Sequence, residues 1–379
     1  MLLHTLNGNG DFRMASWQRL LSQSLAEWLL EKENPSVRYL ALRDLLDRDE
    51  GDPVVKEAKA AIPESKIVMK VLAKQMAEGF WEHRENPYIP KYKSTYWQVM
   101  ILAQLGIDKS DKRVRRACEF VFNLQLDDGG FSSHTEERAL EEYEWMQTRT
   151  ALKEKRQADS DVWAKSLVKE HEYSCLTGNL CVAMLRIGYG GDLRLTKALD
   201  WLVKIQNTDG GWLCPYWKAH IKDTHGCFYG TICPLEAFSE VPETERSAEM
   251  KHAIEHGAEF LLMHRLHRAD HHSFKVINRN WLRLSFPWFY GYDILRGLSV
   301  LTKLGYIHDD RLTDALNVVI QKRRPDGTWV LEASPTGRMH VNVEAVGKPS
   351  KWITLNALRV LKRLQKTENK QLKKALAKI

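Results

Sequence analysis

Four segments of this chain share one pattern: a glutamine, three to five residues, a glycine, one more residue and an aromatic ring. They are Gln75–Gly79–Trp81, Gln125–Gly129–Phe131, Gln206–Gly210–Trp212 and Gln321–Gly327–Trp329, with a degenerate fifth copy between Phe260 and Phe274. Internal repetition of this kind constrains a fold more than composition does, because each repeat is one unit that cannot bury its apolar face alone. The glycine suits the end of a helix, where the chain turns through a left-handed backbone conformation.

Each copy occupies the same place in a larger unit. An amphipathic helix precedes it, as over 113–126, 193–205 and 311–321; in the second of these Leu195, Leu199, Leu202 and Ile205 fall on one face. A nearly all-apolar helix follows, over 95–105, 176–187, 229–238, 292–304 and 353–364, and three of these run into Gly106, Gly188 and Gly305. One amphipathic and one apolar helix per unit is what a double ring demands, with outer helices screening inner ones. The irregular spacing of the copies argues against an open solenoid. Asn34-Pro35 reads as the cap and first position of a further helix pair. The expected fold is all-α, an (α/α)6 toroid over residues 17–379 as one domain. A loose tail is expected over 1–16, and a charged helical insertion near 135–170.

Composition narrows the functional classes. The chain has 379 residues and a net charge of +7, spread out rather than gathered, so nucleic-acid binding is not expected. No run approaches the roughly 20 apolar residues needed to span a bilayer, and the first residues lack the form of a secretion signal. The expected location is cytoplasmic, where the six cysteines would serve as thiols or metal ligands rather than disulfides. Thirteen tryptophans leave many rings for inter-helix packing or a cavity wall. Oligomeric state stays open.

The Gln-Gly-aromatic copies resemble the QW motifs of squalene and hopene cyclases and the Gly-Gly-Phe turns of protein prenyltransferase β subunits, over roughly 35–365. Short prokaryotic squalene-cyclase-like and prenyltransferase-like proteins are the most similar, through the runs that begin at Asn34, Cys175, Thr231 and Leu284. The resemblance implies a toroid and, for function, an enzyme acting on an isoprenoid or other apolar substrate in a central cavity. The Asp-x-Asp-Asp acid of the squalene–hopene enzymes is absent; Asp159-Ser160-Asp161 is the nearest fragment.

The prenyltransferase likeness also implies zinc. His171 to Gly178 resembles the stretch that supplies a histidine ligand, and Asp223 to Cys227 loosely resembles an Asp-x-Cys pair. The expected ligands are Cys175, Cys214 and His225, with Cys227 or Asp223 as alternatives; zinc takes such donors. The opposing reading is that the cysteines are small buried hydrophobes. A second histidine group, which includes His252, His256, His264, His267, His271 and His272, reads as solvated. Asp293, with Tyr292 and His225, is the catalytic candidate, although an ion pair with Arg296 is the plainer fate for Asp293. His171, Trp97, Tyr290 and Trp352 are placed at the substrate cavity. Two other functions stay in view: a carbohydrate-processing (α/α)6 hydrolase or lyase, marked by paired carboxylates, and a non-catalytic binding or scaffold toroid.

Overall fold

The structure, a computed structural model, describes residues 20–149, 159–213, 225–271 and 273–376, with side chains to residue 365. The expectations for the tail over 1–16, for Cys214, Asp223 and His272, and for the middle of the charged insertion lie outside the described residues.

Helices account for nearly all regular structure, and they alternate between two layers. Outer α1 (Gln23–Leu29) leads to inner α2 (Pro35–Asp44). Next, α3 (Pro53–Ala60) and outer α4 (Lys66–Leu72) precede inner α5 (Thr95–Gln104). Outer α6 (Lys112–Phe122) is followed by the insertion, α7 (Glu136–Gln147) and α8 (Ser160–Glu170), and by inner α9 (Ser174–Ile187). Three more pairs complete the set: α10 (Leu193–Lys204) with α11 (Phe228–Glu240), α12 (Ala248–Met263) with α13 (Ile294–Lys303), and α14 (Thr313–Gln321) with α15 (Lys351–Leu376). The only named strands among the described residues are two dipeptides, Trp329–Val330 against Pro349–Ser350.

Burial separates the layers as the hydrophobic pattern requires. Every residue of α5 from Thr95 to Ala103 is buried, whereas α6 buries only Val114, Ala117, Cys118, Val121 and Phe122, one helical face. The inner helices contact one another in the order α5, α9, α11, α13, α15, α2. Six inner helices ringed by outer ones form the (α/α)6 toroid. Helices α9 and α11 approach closely, and a side chain at Gly178 would come within 2.6 Å of the Cys233 backbone.

The repeated turns tie each outer helix to the next. Gln75 donates its amide to the carbonyls of Gly79 at 3.1 Å and Arg113 at 2.9 Å, so the turn after α4 holds the start of α6. Gln125 reaches Gly129 and Arg194 at 2.8 Å each, and Gln206 reaches Gly210 at 2.7 Å and Ala253 at 2.9 Å. The aromatic ring then points home: the indoles of Trp81, Trp212 and Trp329 donate to Val71, Leu202 and Val319 in their own outer helices. Their backbone amides, with that of Phe131, donate to the hydroxyls of Thr95, Thr231, Thr354 and Thr177 on the following inner helices. Each such bond contributes about 1 kcal/mol.

The fourth turn corrects the sequence reading. Counting back from the tryptophan, the position that Gln75 and Gln206 occupy falls on Arg323, not on Gln321, which is exposed. Arg323 donates to the carbonyl of Leu20 at 3.0 Å, and so ties the last turn to the chain entering α1. The degenerate copy uses the same substitution: Arg265 and Arg268 pair with Asp314 at the start of α14, at 3.5 and 2.9 Å. A guanidinium, longer than an amide and rich in donors, can replace glutamine at this joint. The charged insertion is a pair of helices rather than one, with Ala139, Ala164 and Val168 as its own small core.

Candidate functional site

Five of the inner helices, α2, α5, α9, α11 and α13, bring their C-terminal ends to one place on the ring axis. There Arg43 and Asp44 of α2, Gln104 of α5, Arg186 of α9, Glu240 of α11 and Lys303 of α13 line a cavity of about 270 Å³. Arg359 and Arg363 of α15, with Lys59 of α3 and Asp108, add to its charged wall. Helix C-termini carry about half a negative charge each, which favours cations at such ends. Phe286, Trp288 and Trp352 form the aromatic part of the wall; the Phe286 and Trp352 rings stack at 4.3 Å and 10°.

The rest of the axis is filled. The loop over 284–293 enters the ring, and Gln104 grips its backbone at Trp288, accepting from the amide at 2.9 Å and donating to the carbonyl at 2.5 Å. Behind this loop Arg296 is fully enclosed, 1% exposed. Its guanidinium donates to Glu236 of α11 at 2.8 and 2.6 Å, to the Asn179 side-chain oxygen of α9 at 2.8 Å, and to the carbonyls of Phe289 and Gly291 at 2.7 Å each. Arg186 shares Glu236 at 2.7 Å and reaches Glu240 at 2.6 Å. The runs around Cys175, Thr231 and Leu284, which carried the resemblance, thus meet at this network.

Asp293 belongs to the loop's anchorage. It caps α13, accepting the Arg296 backbone amide at 2.9 Å, and also accepts from the Ser285 amide and the Trp288 indole at 3.1 Å each and from the Ser285 hydroxyl. The side-chain ion pair expected with Arg296 is not formed. A helix cap commits its carboxylate to first-turn amides, and the guanidinium finds acceptors on α9 and α11 instead. Burial raises the Asp293 carboxyl above its ordinary range despite these donors. Trp288 contributes its side to the cavity wall while its indole N–H meets Asp293; Asp293 itself is not among the lining residues.

The other singled-out residues fall in separate places. Tyr292 is buried, and its hydroxyl donates to Leu266 at 2.7 Å. His225 lies 2.8 Å from the Gly226 carbonyl and 3.8 Å from Asp209, with Phe260 and His264 against its ring. Cys227 caps α11, its sulfur accepting the Gly230 amide at 3.1 Å. Cys175 is in the first turn of α9. Among the described residues no three His, Cys, Asp or Glu side chains are grouped as a metal site would need. The His252 and His256 rings lie tilted against each other at 4.0 Å on α12. Of the cavity candidates, Trp352 lines the axial cavity. Trp97 and Tyr290 pack with Tyr92 and Phe289, and His171 ends α8, its ring tilted against that of His134 at 4.0 Å.

Sequence reading missed the charges that make the cavity. Their signal was an ionisable residue inside an otherwise apolar helix, as at Arg186, Glu236, Arg359 and Arg363. All three carboxylates in the cavity wall are held ionised. Burial alone would raise Asp44, but Arg359 and Arg43 hold it below the usual carboxylate range. Burial is likewise outweighed at Asp108 by Ser110 and Lys59, and at Glu240 by Arg186 and Lys303, which bring it down to about 2.

No protein-family model matches the chain. Over 247 residues it is 21% identical to lanosterol synthase of Aspergillus fumigatus, a match covering 59% of this chain and 28% of the relative. The match thus spans little more than a quarter of that relative's length. Among solved structures it is similar to the ligand-free type II terpene cyclase MstE from Scytonema, at TM-score 0.42 and 14% identity, covering 89% of this chain and 88% of that one. A variant of that cyclase with its substrate geranylgeranyl dihydroxybenzoate gives TM-score 0.42 and 15% identity, over 89% and 87%. A protein from Actinoplanes gives 0.42 and 14%, over 89% of each chain. The repeated turns and the ring of helices resemble those that the sequence likeness to squalene cyclases implies. No helix among the described residues is long and apolar enough to cross a membrane.

Proposed function

We propose that this chain is a terpene-cyclase-like enzyme that holds an isoprenoid-derived substrate in the axial cavity, with the hydrocarbon against Phe286, Trp288 and Trp352. The observation that carries this reading is the aromatic wall of a ligand-sized cavity on the ring axis. Aromatic faces attract cationic carbon as well as apolar surface. The substrate's own chemistry must supply the initiating step, because a protonated carboxyl is not at hand: Asp44, Asp108 and Glu240 are ionised, and Asp293 lies behind Trp288. Glycan hydrolysis, which needs one protonated and one ionised carboxyl, finds no support in that wall either.

Zinc assistance would draw on Cys175, Cys214, His225 and Cys227. Cys227 is engaged in capping α11 and His225 with Gly226 and Asp209, so the described donors do not fit a three-ligand centre. Metal analysis of purified protein checks this: stoichiometric zinc that disappears in Cys175→Ala or His225→Ala would overturn it.

The substrate reading is tested by tryptophan fluorescence during titration with polyprenols of ten to twenty carbons. Saturable quenching is expected, weakened about tenfold in Trp352→Leu, the effect of roughly 1.4 kcal/mol of lost apolar contact. Absence of binding at every chain length sinks the isoprenoid reading. A binding role without catalysis is the second reading, favoured by the paired state of the cavity carboxylates; ligand recovered unchanged by mass spectrometry after long incubation would select it.

A further inference from the structure

The charge of the axial cavity exceeds what the fold requires. Arg43, Lys59, Arg186, Lys303, Arg359 and Arg363 face three lining carboxylates. Glu50 reaches Arg43 at 3.2 Å from the surface side, and the second layer, Glu236 with Arg296, is neutral. Five helix C-termini converge here and offset part of the excess through their dipoles. They do not fill the guanidinium donors. Arg359 pairs with Asp44 and donates to Asn356 at 2.9 Å, yet its Nε is buried without an acceptor. Arg363 makes one hydrogen bond, to the Ser299 carbonyl at 3.1 Å, and has no carboxylate partner among the described residues. A guanidinium carries five N–H donors, so most of Arg363 is unspent in the cavity wall.

We infer that the axial cavity is an anion site for a phosphate-class group, centred on Arg359 and Arg363 with Lys59 and Arg43 at its mouth. Guanidinium forks match phosphate oxygens in bidentate geometry, and several around one enclosed space favour a multiply charged anion over a single carboxylate. Burial, with Arg359 alongside, pushes Arg363 down to about 10; an anion would relieve that cost. The inference rests on the axial cavity being the ligand site, as in the reading above, but not on the ligand being an isoprenoid.

Calorimetric titration at fixed ionic strength with inorganic pyrophosphate, inorganic phosphate, citrate and dodecyl phosphate tests it. Saturable binding of pyrophosphate is expected, at least tenfold tighter than citrate. Arg363→Met is expected to weaken pyrophosphate binding tenfold or more while raising the melting temperature of the ligand-free protein, since it removes a half-buried cation that has no carboxylate partner among the described residues. A purely structural arginine would lower that temperature and leave binding alone. Lys59→Gln, at the half-exposed mouth, should weaken binding two- to threefold and keeps the test valid if Arg363→Met fails to fold. Tighter binding of dodecyl phosphate than of phosphate assigns the anion as an amphiphile's head group, and equal affinity assigns it as a free ion; both support the site. Equal, weak responses to pyrophosphate, phosphate and citrate, unchanged in both variants, overturn it. Polyprenol binding without pyrophosphate binding removes the anion site and leaves the substrate reading; the converse removes the substrate reading alone.

Discussion

Arg296 holds three inner helices and the axial loop through a single guanidinium, with Glu236, Asn179 and two carbonyls as acceptors. Removing one partner of a buried ion pair costs about 3–5 kcal/mol, because the remaining charge is left uncompensated. Arg296→Met is expected to lower unfolding free energy by that amount in urea titrations, with part of the loss recovered on adding Glu236→Leu. Gly129 makes a second residue-scale case. Its φ is +113°, and an added side chain would overlap the Lys197 carbonyl of the next outer helix. Gly191 has φ +83° with open space around it. Gly191→Ala should cost about 1–2 kcal/mol from backbone conformation alone, and Gly129→Ala clearly more; equal costs would show that the close approach does not matter. Glu172 supplies the pH dependence. Burial first, then the neighbouring Asp128, raise its carboxyl to about 7 against the pull of Lys169. The folded state therefore holds this proton more tightly than the unfolded chain. The associated stability is full below about pH 4.5 and lost as pH rises through about 7. Glu172→Gln should raise the melting temperature relative to the parent more at pH 8 than at pH 5, and a shift equal at both values argues against this assignment.

At the scale of elements, the turns are joints between neighbouring outer helices, and the sequence displays them because each joint is local. Glutamine, glycine and aromatic lie within a few residues and impose one backbone course. Their receiving threonines are not legible in the same way: they lie 14, 46, 19 and 25 residues from the amides they accept, since loops of unequal length intervene. The fourth joint was misread for a related reason. A glutamine two residues early satisfied the motif, whereas the tryptophan's distance to its own helix put Arg323 at the joint. Arg323→Ala is expected to accelerate hydrogen exchange in α1 and lower the melting temperature by a few degrees, roughly the effect of 1 kcal/mol. Gln321→Ala should leave both unchanged; the opposite ranking would restore the sequence alignment.

At the scale of the whole molecule, ring closure converts five helix ends and the flank of a sixth helix into one cavity. The expected apolar interior is instead divided between an aromatic-rich loop packed on the axis and a charged chamber at the C-terminal ends. Asp44 and Arg359 meet across 315 positions of chain, and Gln104 and Trp288 across 184. What the amino-acid order determined by itself was the alternation of amphipathic and apolar helices, the turns between them and hence the toroid, because periodicity and glycine conformation act over a few residues. Only the tertiary structure decided which ionisable side chains share the axis, that Asp293 anchors a loop rather than pairing with Arg296, and that Arg323 closes the ring. Those outcomes depend largely on groups from 60 to more than 300 positions apart, whose mutual distance is set by closure and not by any local pattern.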